Sequence, residues 1–166
     1  MLTKKKIESY LGVIWYVIFL QALVATLGSL YYSSFGDPVV NLGNGVPFPL
    51  NGGFAPCTLC WFGRILMYPI TVLTIVAGAK NDKQFTDYIL PFSITGIALS
   101  TYHYLLQKTN WATPFNCTAN FPCNAMEVNY FGFITIPMLA LVAYIVITTL
   151  CLAYKYLVKK EVSIKE

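Results

Sequence analysis

The sequence predicts an all-α membrane protein, a four-transmembrane-helix bundle in which residues 1–166 form a single membrane domain and both termini are cytoplasmic. Apolar residues make up 57% of the 166-residue chain, and charged residues make up only 11%. A water-exposed surface needs more charge than this, so the composition indicates lipid as the main solvent. Four windows are free, or nearly free, of Asp, Glu, Lys and Arg. Each is long enough to cross a ~30 Å hydrocarbon core as a helix.

The first span is expected at about residues 10–35, after the charged stretch Lys4-Lys5-Lys6. A cleaved signal peptide is the alternative, because signal peptides also begin with positive charge. However, the apolar run is longer than the core of a usual signal peptide, and no clear cleavage site of small residues ends it. An uncleaved span is therefore expected.

The other three windows predict spans at about residues 57–79, 88–107 and 130–154, with external loops at 36–56 and 108–129. Four prolines and five glycines in the first loop exclude a regular element there. Pro69 and Pro137 fall within the second and fourth predicted spans. Proline bends a helix, so both are expected to open space between helices for a ligand.

The five cysteines form two close pairs and one single residue. Cys57 and Cys60 open the second span, Cys117 and Cys123 lie in the second external loop, and Cys151 lies near the end of the fourth span. Cys151 has no partner nearby in the sequence and is expected to be a buried, unreactive thiol.

Lysine placement predicts the orientation of the spans. Loops rich in Lys and Arg face the cytoplasm. The two external loops together contain a single Lys or Arg residue, which is Lys108. Both cysteine pairs are therefore expected on the extracytoplasmic side, where disulfides persist. The same placement explains the net charge of +4, so no nucleic-acid partner is expected. The lysines assigned to the cytoplasmic side are Lys4, Lys5, Lys6, Lys80, Lys83, Lys155, Lys159, Lys160 and Lys165.

The pair Cys57 and Cys60 has the spacing CxxC and is followed by Arg64. The start of a helix offers unpaired N–H groups and a positive dipole end, and both stabilise a thiolate. Arg64 follows Cys60 by four residues, so the two share one helix face. An arginine within a span is costly, which favours a functional role. A static disulfide with an arginine that reaches lipid phosphates is the structural alternative.

Cys117 and Cys123 enclose five residues. So short a ring adds little stability, which favours exchange with the thiols of another protein over a structural disulfide. A zinc site built from all four cysteines is the alternative, but neither loop has the spacing of a zinc ribbon, and no metal is expected.

His103 is the one histidine of the chain, near the outer end of the third span. Since neighbouring spans run antiparallel, it is expected at a depth similar to that of Arg64. A packed, hydrogen-bonded histidine and a ligand-binding one are both compatible with this position.

These features together resemble the DsbB family, and more closely its BdbC-type thiol-disulfide oxidoreductases of Gram-positive bacteria. The resemblance extends from about Ala25 to the end of the fourth span, and the block from the CxxC to Arg64 is its most specific part. Gly63 departs from the pattern, because a polar side chain usually precedes this arginine. The segments that carry the resemblance are GSLYYS, PCTLCWFGRILMYPI, YHYLLQK and NYFGFITIPMLAL.

The resemblance implies an enzyme that re-oxidises a thioredoxin-like partner of the DsbA or BdbD type and passes the electrons to a quinone, menaquinone or ubiquinone. Cys117 and Cys123 would accept the electrons from the partner, and Cys57 and Cys60 would relay them. Cys60 would be the thiolate nearest the quinone.

The same resemblance gives the cofactor-binding residues as Arg64, which would hold the quinone, and His103, which would lie near it. The alternative from a different class is a non-enzymatic four-span scaffold or receptor with structural external disulfides. The two differ in the reduction potentials of the disulfides, which are low for structural bonds and high for relay bonds.

Overall fold

The computed structural model describes residues 4–35, 57–109 and 129–163. They form four long α-helices, each apolar and long enough to cross a membrane, and this confirms the predicted four-helix membrane fold. The helices are α1 (Lys4–Phe35), α2 (Thr58–Lys80), α3 (Phe85–Lys108) and α4 (Ile136–Ser163).

The four helices pack in a ring. Helix α1 contacts α2 and α4, and α3 contacts the same two neighbours. Each helix runs antiparallel to the next, so one end of the bundle holds the start of α2 and α4 together with the end of α1 and α3. We call this the Cys57 end, and the other the lysine end.

Small residues and polar contacts hold the bundle together, as expected where lipid removes most of the hydrophobic drive for helix association. The Trp15 ring lies directly against Gly78, and its Nε1 donates to the Thr74 carbonyl oxygen at 3.1 Å. The hydroxyls of Thr26 and Thr71 form a hydrogen bond of 2.9 Å between α1 and α2.

At the lysine end, two ion pairs join α4 to α3 and to the turn before it. Lys83 Nζ lies 2.7 Å from Glu161 Oε2, and Lys155 Nζ lies 2.6 Å from Asp87 Oδ1. Asn81 ends α2 in the left-handed conformation, with φ of 51°, and so permits the short connection to α3. Cys151 is fully buried in the core near this end, as the sequence predicted.

The fourth helix begins six residues later than the predicted span, at Ile136 instead of residue 130. A tight turn precedes it, in which Tyr130 and Ile134 form an antiparallel bridge and Gly132 has φ of 80°. Pro137 is the second residue of α4, where its missing N–H costs no helical hydrogen bond. The predicted bend at Pro137 is therefore wrong, because this proline starts the helix.

Gly96→Ala is expected to destabilise the bundle, because an added Cβ would overlap the Tyr144 ring. Overpacking of this kind costs about 1–3 kcal/mol. Thermal unfolding of the purified protein in detergent measures the effect. Gly12→Ala is the matched control, since nothing lies within 4 Å of a Cβ at Gly12, and it should leave the midpoint unchanged or raise it. Equal midpoints for the two variants would contradict the packing of Gly96 against Tyr144.

Candidate functional site

The Cys57–Cys60 pair lies at the start of α2 as a dithiol. Cys57 is the N-cap, with extended backbone at φ −65° and ψ 167°, and its Sγ accepts from the Cys60 amide at 3.4 Å. A thiol–thiol hydrogen bond of 3.0 Å joins the two sulfurs. The cap therefore points both sulfurs toward each other, at the helix end where N–H groups stabilise negative charge.

His103 reaches this pair from α3. Its Nε2 lies 3.8 Å from Cys57 Sγ, and the side chain is buried with 5% exposure. The two sulfurs and a ring nitrogen of His103 all lie within 4.8 Å of one another. The histidine thus contacts the thiol that lies deeper in the protein, and a proton can pass between Nε2 and Cys57 Sγ.

Arg64 is held by two serines of α1 that are four residues apart. Its Nε donates to Ser29 Oγ at 3.0 Å, its Nη1 to Ser33 Oγ at 3.4 Å and its Nη2 to the Ser29 carbonyl oxygen at 3.3 Å. Its guanidinium carbon also lies 5.4 Å from the centre of the Trp61 ring. A guanidinium has five N–H donors. The described residues use three of them, so two can serve an acceptor beside the helix.

A cavity of about 510 Å³ opens between the four helices next to these groups. Cys60, Arg64 and His103 all contribute to its wall. The rest of the wall is mostly apolar. A bound molecule would therefore contact mainly apolar side chains, together with a few hydrogen-bond donors and one cysteine. Its apolar lining residues include Val24, Leu59, Met67, Leu99, Pro137 and Ala143.

Tyr68 adds a polar group that the sequence analysis did not identify. It lines the cavity one helical turn after Arg64, and its hydroxyl is buried without a hydrogen-bond partner among the described residues. A buried hydroxyl without a partner is costly, which points to an acceptor supplied by a bound molecule. The spacing could have identified it, because Cys60, Arg64 and Tyr68 recur every four residues on one face of α2.

Tyr144 fixes the same turn of α2 from the opposite side. Its hydroxyl donates to the Gly63 carbonyl oxygen at 2.7 Å, and its ring fits against Gly96 of α3. The turn that carries Cys60 and Arg64 is therefore tied to α4 by Tyr144 and to α1 by Ser29.

The structure brings together four of the six residues that the sequence singled out. Cys57, Cys60, Arg64 and His103 all lie at the Cys57 end, around one cavity. Arg64 and His103 line the same cavity, and their equal depth stays a prediction. Cys117 and Cys123 lie outside the described residues.

Comparison with protein families gives one match that covers most of the chain. The family model described as disulfide bond formation protein DsbB matches residues 38–154. The matched range includes the CxxC, Arg64, His103 and both cysteines of the second pair.

Curated relatives agree with this match. Disulfide bond formation protein C of Bacillus subtilis is 39% identical over 133 residues, which cover 80% of this chain and 85% of the relative. A probable disulfide formation protein of Oceanobacillus iheyensis is 41% identical over 148 residues, 88% of each chain. One from Coxiella burnetii is 33% identical over 150 residues, 89% of this chain and 91% of the relative. No solved structure matches the chain significantly.

Proposed function

The chain belongs to the family of disulfide bond formation protein DsbB, and from this premise we propose that this membrane disulfide oxidoreductase re-oxidises an extracytoplasmic thioredoxin-like protein and passes the electrons to a quinone. The products would be disulfides in exported proteins and a quinol in the membrane. One observation carries the proposal: a thiol of the CxxC, a guanidinium and a histidine share the wall of one apolar cavity.

The residues of the cavity fit a quinone head group. Its volume of about 510 Å³ lies in the range of small-molecule sites, about 300–1,000 Å³. The two carbonyl oxygens of a quinone need hydrogen-bond donors. Arg64 has two N–H groups beyond those that Ser29 and Ser33 accept, and the Tyr68 hydroxyl has no partner among the described residues. Menaquinone and ubiquinone both have this head-group chemistry.

In the proposed relay, a thiolate of the partner attacks the Cys117–Cys123 disulfide, with Cys117 as the site of the mixed disulfide. The second partner thiol displaces Cys117, so the partner leaves as a disulfide and Cys117 and Cys123 become a dithiol. Exchange with a Cys57–Cys60 disulfide then restores the outer bond and leaves Cys57 and Cys60 reduced.

Re-oxidation of Cys57 and Cys60 releases two electrons and two protons. A quinone held in the cavity by Arg64 and Tyr68 would supply the acceptor for both. Of the two cysteines, Cys60 lines the cavity, and the N–H groups of the first helical turn and the charge of Arg64 in the same wall would stabilise its thiolate. His103 Nε2 takes the proton of Cys57 Sγ, 3.8 Å away, as the disulfide forms.

The proposal includes an orientation in the cell membrane. The lysine end of the bundle would face the cytoplasm together with both termini, by the positive-inside rule. Both cysteine pairs would then lie on the extracytoplasmic side. This is also where a thioredoxin-like partner could reach Cys117 and Cys123.

The test is an anaerobic mixture of the purified protein with a reduced thioredoxin-like protein and a soluble quinone. One quinone should be reduced for each partner disulfide formed, as followed by quinone absorbance and by titration of the partner's thiols. Disulfide formation without quinone loss would contradict the quinone as acceptor. A static scaffold, the alternative, predicts no change in either quantity.

Ser29→Ala is expected to lower kcat/KM for the quinone while the partner's KM stays unchanged. The substitution removes the acceptor of Arg64 Nε but keeps the contacts to Ser33 and to the backbone. A hydrogen bond of this kind contributes about 1 kcal/mol, and its loss corresponds to a decrease of about fivefold in kcat/KM. Ser34→Ala is the control, because Ser34 lies exposed on the same helix. Equal values of kcat/KM for the two variants would show that Ser29 does not position Arg64.

Tyr68→Phe is expected to lower kcat/KM for the quinone by about 2–10-fold, the effect of one neutral hydrogen bond of 0.5–1.5 kcal/mol. Stability should stay the same or rise, because the hydroxyl that is removed has no partner among the described residues. Steady-state kinetics and thermal unfolding measure the two quantities, with the exposed Tyr88→Phe as control. A loss of stability with unchanged kinetics would show that the hydroxyl serves the fold instead.

A further inference from the structure

We infer that the reduced Cys57–Cys60 pair and His103 form a three-ligand zinc site, and that Zn²⁺ bound there holds the enzyme in its dithiol form. The site differs from one built from all four cysteines, because one ligand is a histidine of α3 and the second cysteine pair takes no part. Two thiolates and an imidazole are ligands that bind zinc well, whereas hard cations such as Mg²⁺ and Ca²⁺ prefer oxygen ligands.

The donor atoms already lie close to the required geometry. Zinc–sulfur bonds of about 2.3 Å and zinc–nitrogen bonds of about 2.0–2.1 Å at tetrahedral angles separate two sulfurs by about 3.8 Å and sulfur from nitrogen by about 3.5 Å. Cys57 Sγ lies 3.8 Å from His103 Nε2, and the two sulfurs are 3.0 Å apart. All three donors lie within 4.8 Å of one another. A small side-chain rotation of Cys60 is therefore enough to place them around one ion.

The charge of the complex suits its surroundings. Zn²⁺ with two thiolates is neutral, and binding releases two protons from the two thiols without any change in oxidation state. A neutral complex can occupy a site where Cys57 and His103 are buried, and it does not repel Arg64. Cys60 and His103 both line the cavity, so the fourth coordination position opens toward it and can hold a water molecule.

Zinc binding excludes the disulfide, because the same sulfur electron pairs bind the ion. The metal would therefore compete with re-oxidation of the pair, and extracytoplasmic zinc would slow turnover. Only this consequence depends on the proposed function, since metal binding to the dithiol can be measured without any partner or quinone.

The experiment uses a full-length variant in which Cys117, Cys123 and Cys151 are replaced by serine, so that Cys57 and Cys60 are the only thiols of the five-cysteine chain. The protein is reduced, desalted without oxygen and titrated with Co²⁺. We expect the thiolate-to-cobalt charge-transfer band and the intense visible bands of tetrahedral cobalt, followed by their loss when one equivalent of Zn²⁺ is added. The oxidised protein should show neither. Absence of the charge-transfer band in the reduced protein would overturn the inference.

His103→Ala in this background identifies the third ligand. Cobalt affinity should fall at least about tenfold, since loss of a mere supporting group already has that effect, whereas unchanged affinity would overturn the histidine as ligand. His103→Gln, which keeps a polar side chain, repeats the test if the alanine variant loses helicity by circular dichroism. The quinone assay of the wild-type protein, with and without zinc, is a separate experiment. If the protein binds cobalt but does not reduce quinone, the metal site is supported and the proposed function is contradicted.

Discussion

Replacing Cys60 with serine is expected to reduce quinone reduction by a dithiol partner to the rate of the uncatalysed mixture. Cys60 is the thiol that lines the cavity, and a hydroxyl can neither form a disulfide with Cys57 nor pass two electrons onward. Stopped-flow absorbance of the quinone under anaerobic conditions measures the effect. Because Cys60 lies in the first turn of α2 and is only partly buried, serine should preserve the fold, and circular dichroism checks this.

Cys151→Ser is the matched control for this experiment. Cys151 is buried in the core toward the lysine end of the bundle, so its loss should leave the rate of quinone reduction unchanged. Normal turnover by Cys60→Ser would contradict the relay. A rate that falls equally in both variants would mean that the loss comes from a general effect on the bundle and not from the site.

Replacing Arg64 with alanine is expected to lower kcat/KM for the quinone by about 100-fold. The substitution removes the two guanidinium donors assigned to the quinone and a positive charge from the cavity wall that Cys60 also lines. Hydrogen bonds from a charged group contribute about 1.5–3 kcal/mol, and about 3 kcal/mol corresponds to roughly 100-fold. The KM for the protein partner should stay nearly constant, because the partner reacts at the other cysteine pair.

Arg64→Lys separates charge from geometry. Lysine keeps the positive charge but not the planar fork that reaches Ser29 and a second acceptor at once, so its kcat/KM should lie between those of wild type and Arg64→Ala. Lys108→Ala removes another cation from the same end of the bundle, one that donates to the Gly132 carbonyl oxygen at 2.6 Å, and serves as the control. If it has the same effect as Arg64→Ala, the loss reflects general electrostatics and not quinone binding.

The fold was predictable because its main determinant is a one-dimensional pattern. Long windows without charge predict membrane helices, and all four are present in the structure. The ends of the helices are less predictable. The fourth helix starts at Ile136 because a turn with φ of 53° at Phe131 and 80° at Gly132 precedes it. No hydropathy pattern distinguishes that apolar turn from the helix it leads into.

The geometry of the candidate site was predictable only for the residues that share α2. The four-residue spacing of Cys60 and Arg64 placed both on one face of α2, and both line the cavity. Ser29 and Tyr144 act across helices, through hydrogen bonds to Arg64 and to Gly63. Their roles depend on the packing of α1 and α4 against α2, which a single sequence does not contain. His103 was singled out because it is the one histidine of the chain. Its contact with Cys57 became visible only in the structure.

The most direct test of a quinone and a thiol pair meeting in one cavity is photo-cross-linking with an azidoquinone, followed by mass spectrometry of the full-length protein. Adducts are expected on the cavity wall, at residues such as Met67, Tyr68 and Ala143, and excess unlabelled quinone should abolish them. Adducts confined to the lipid-facing side of α2, at Val72, Ile75 and Val76, would contradict the account.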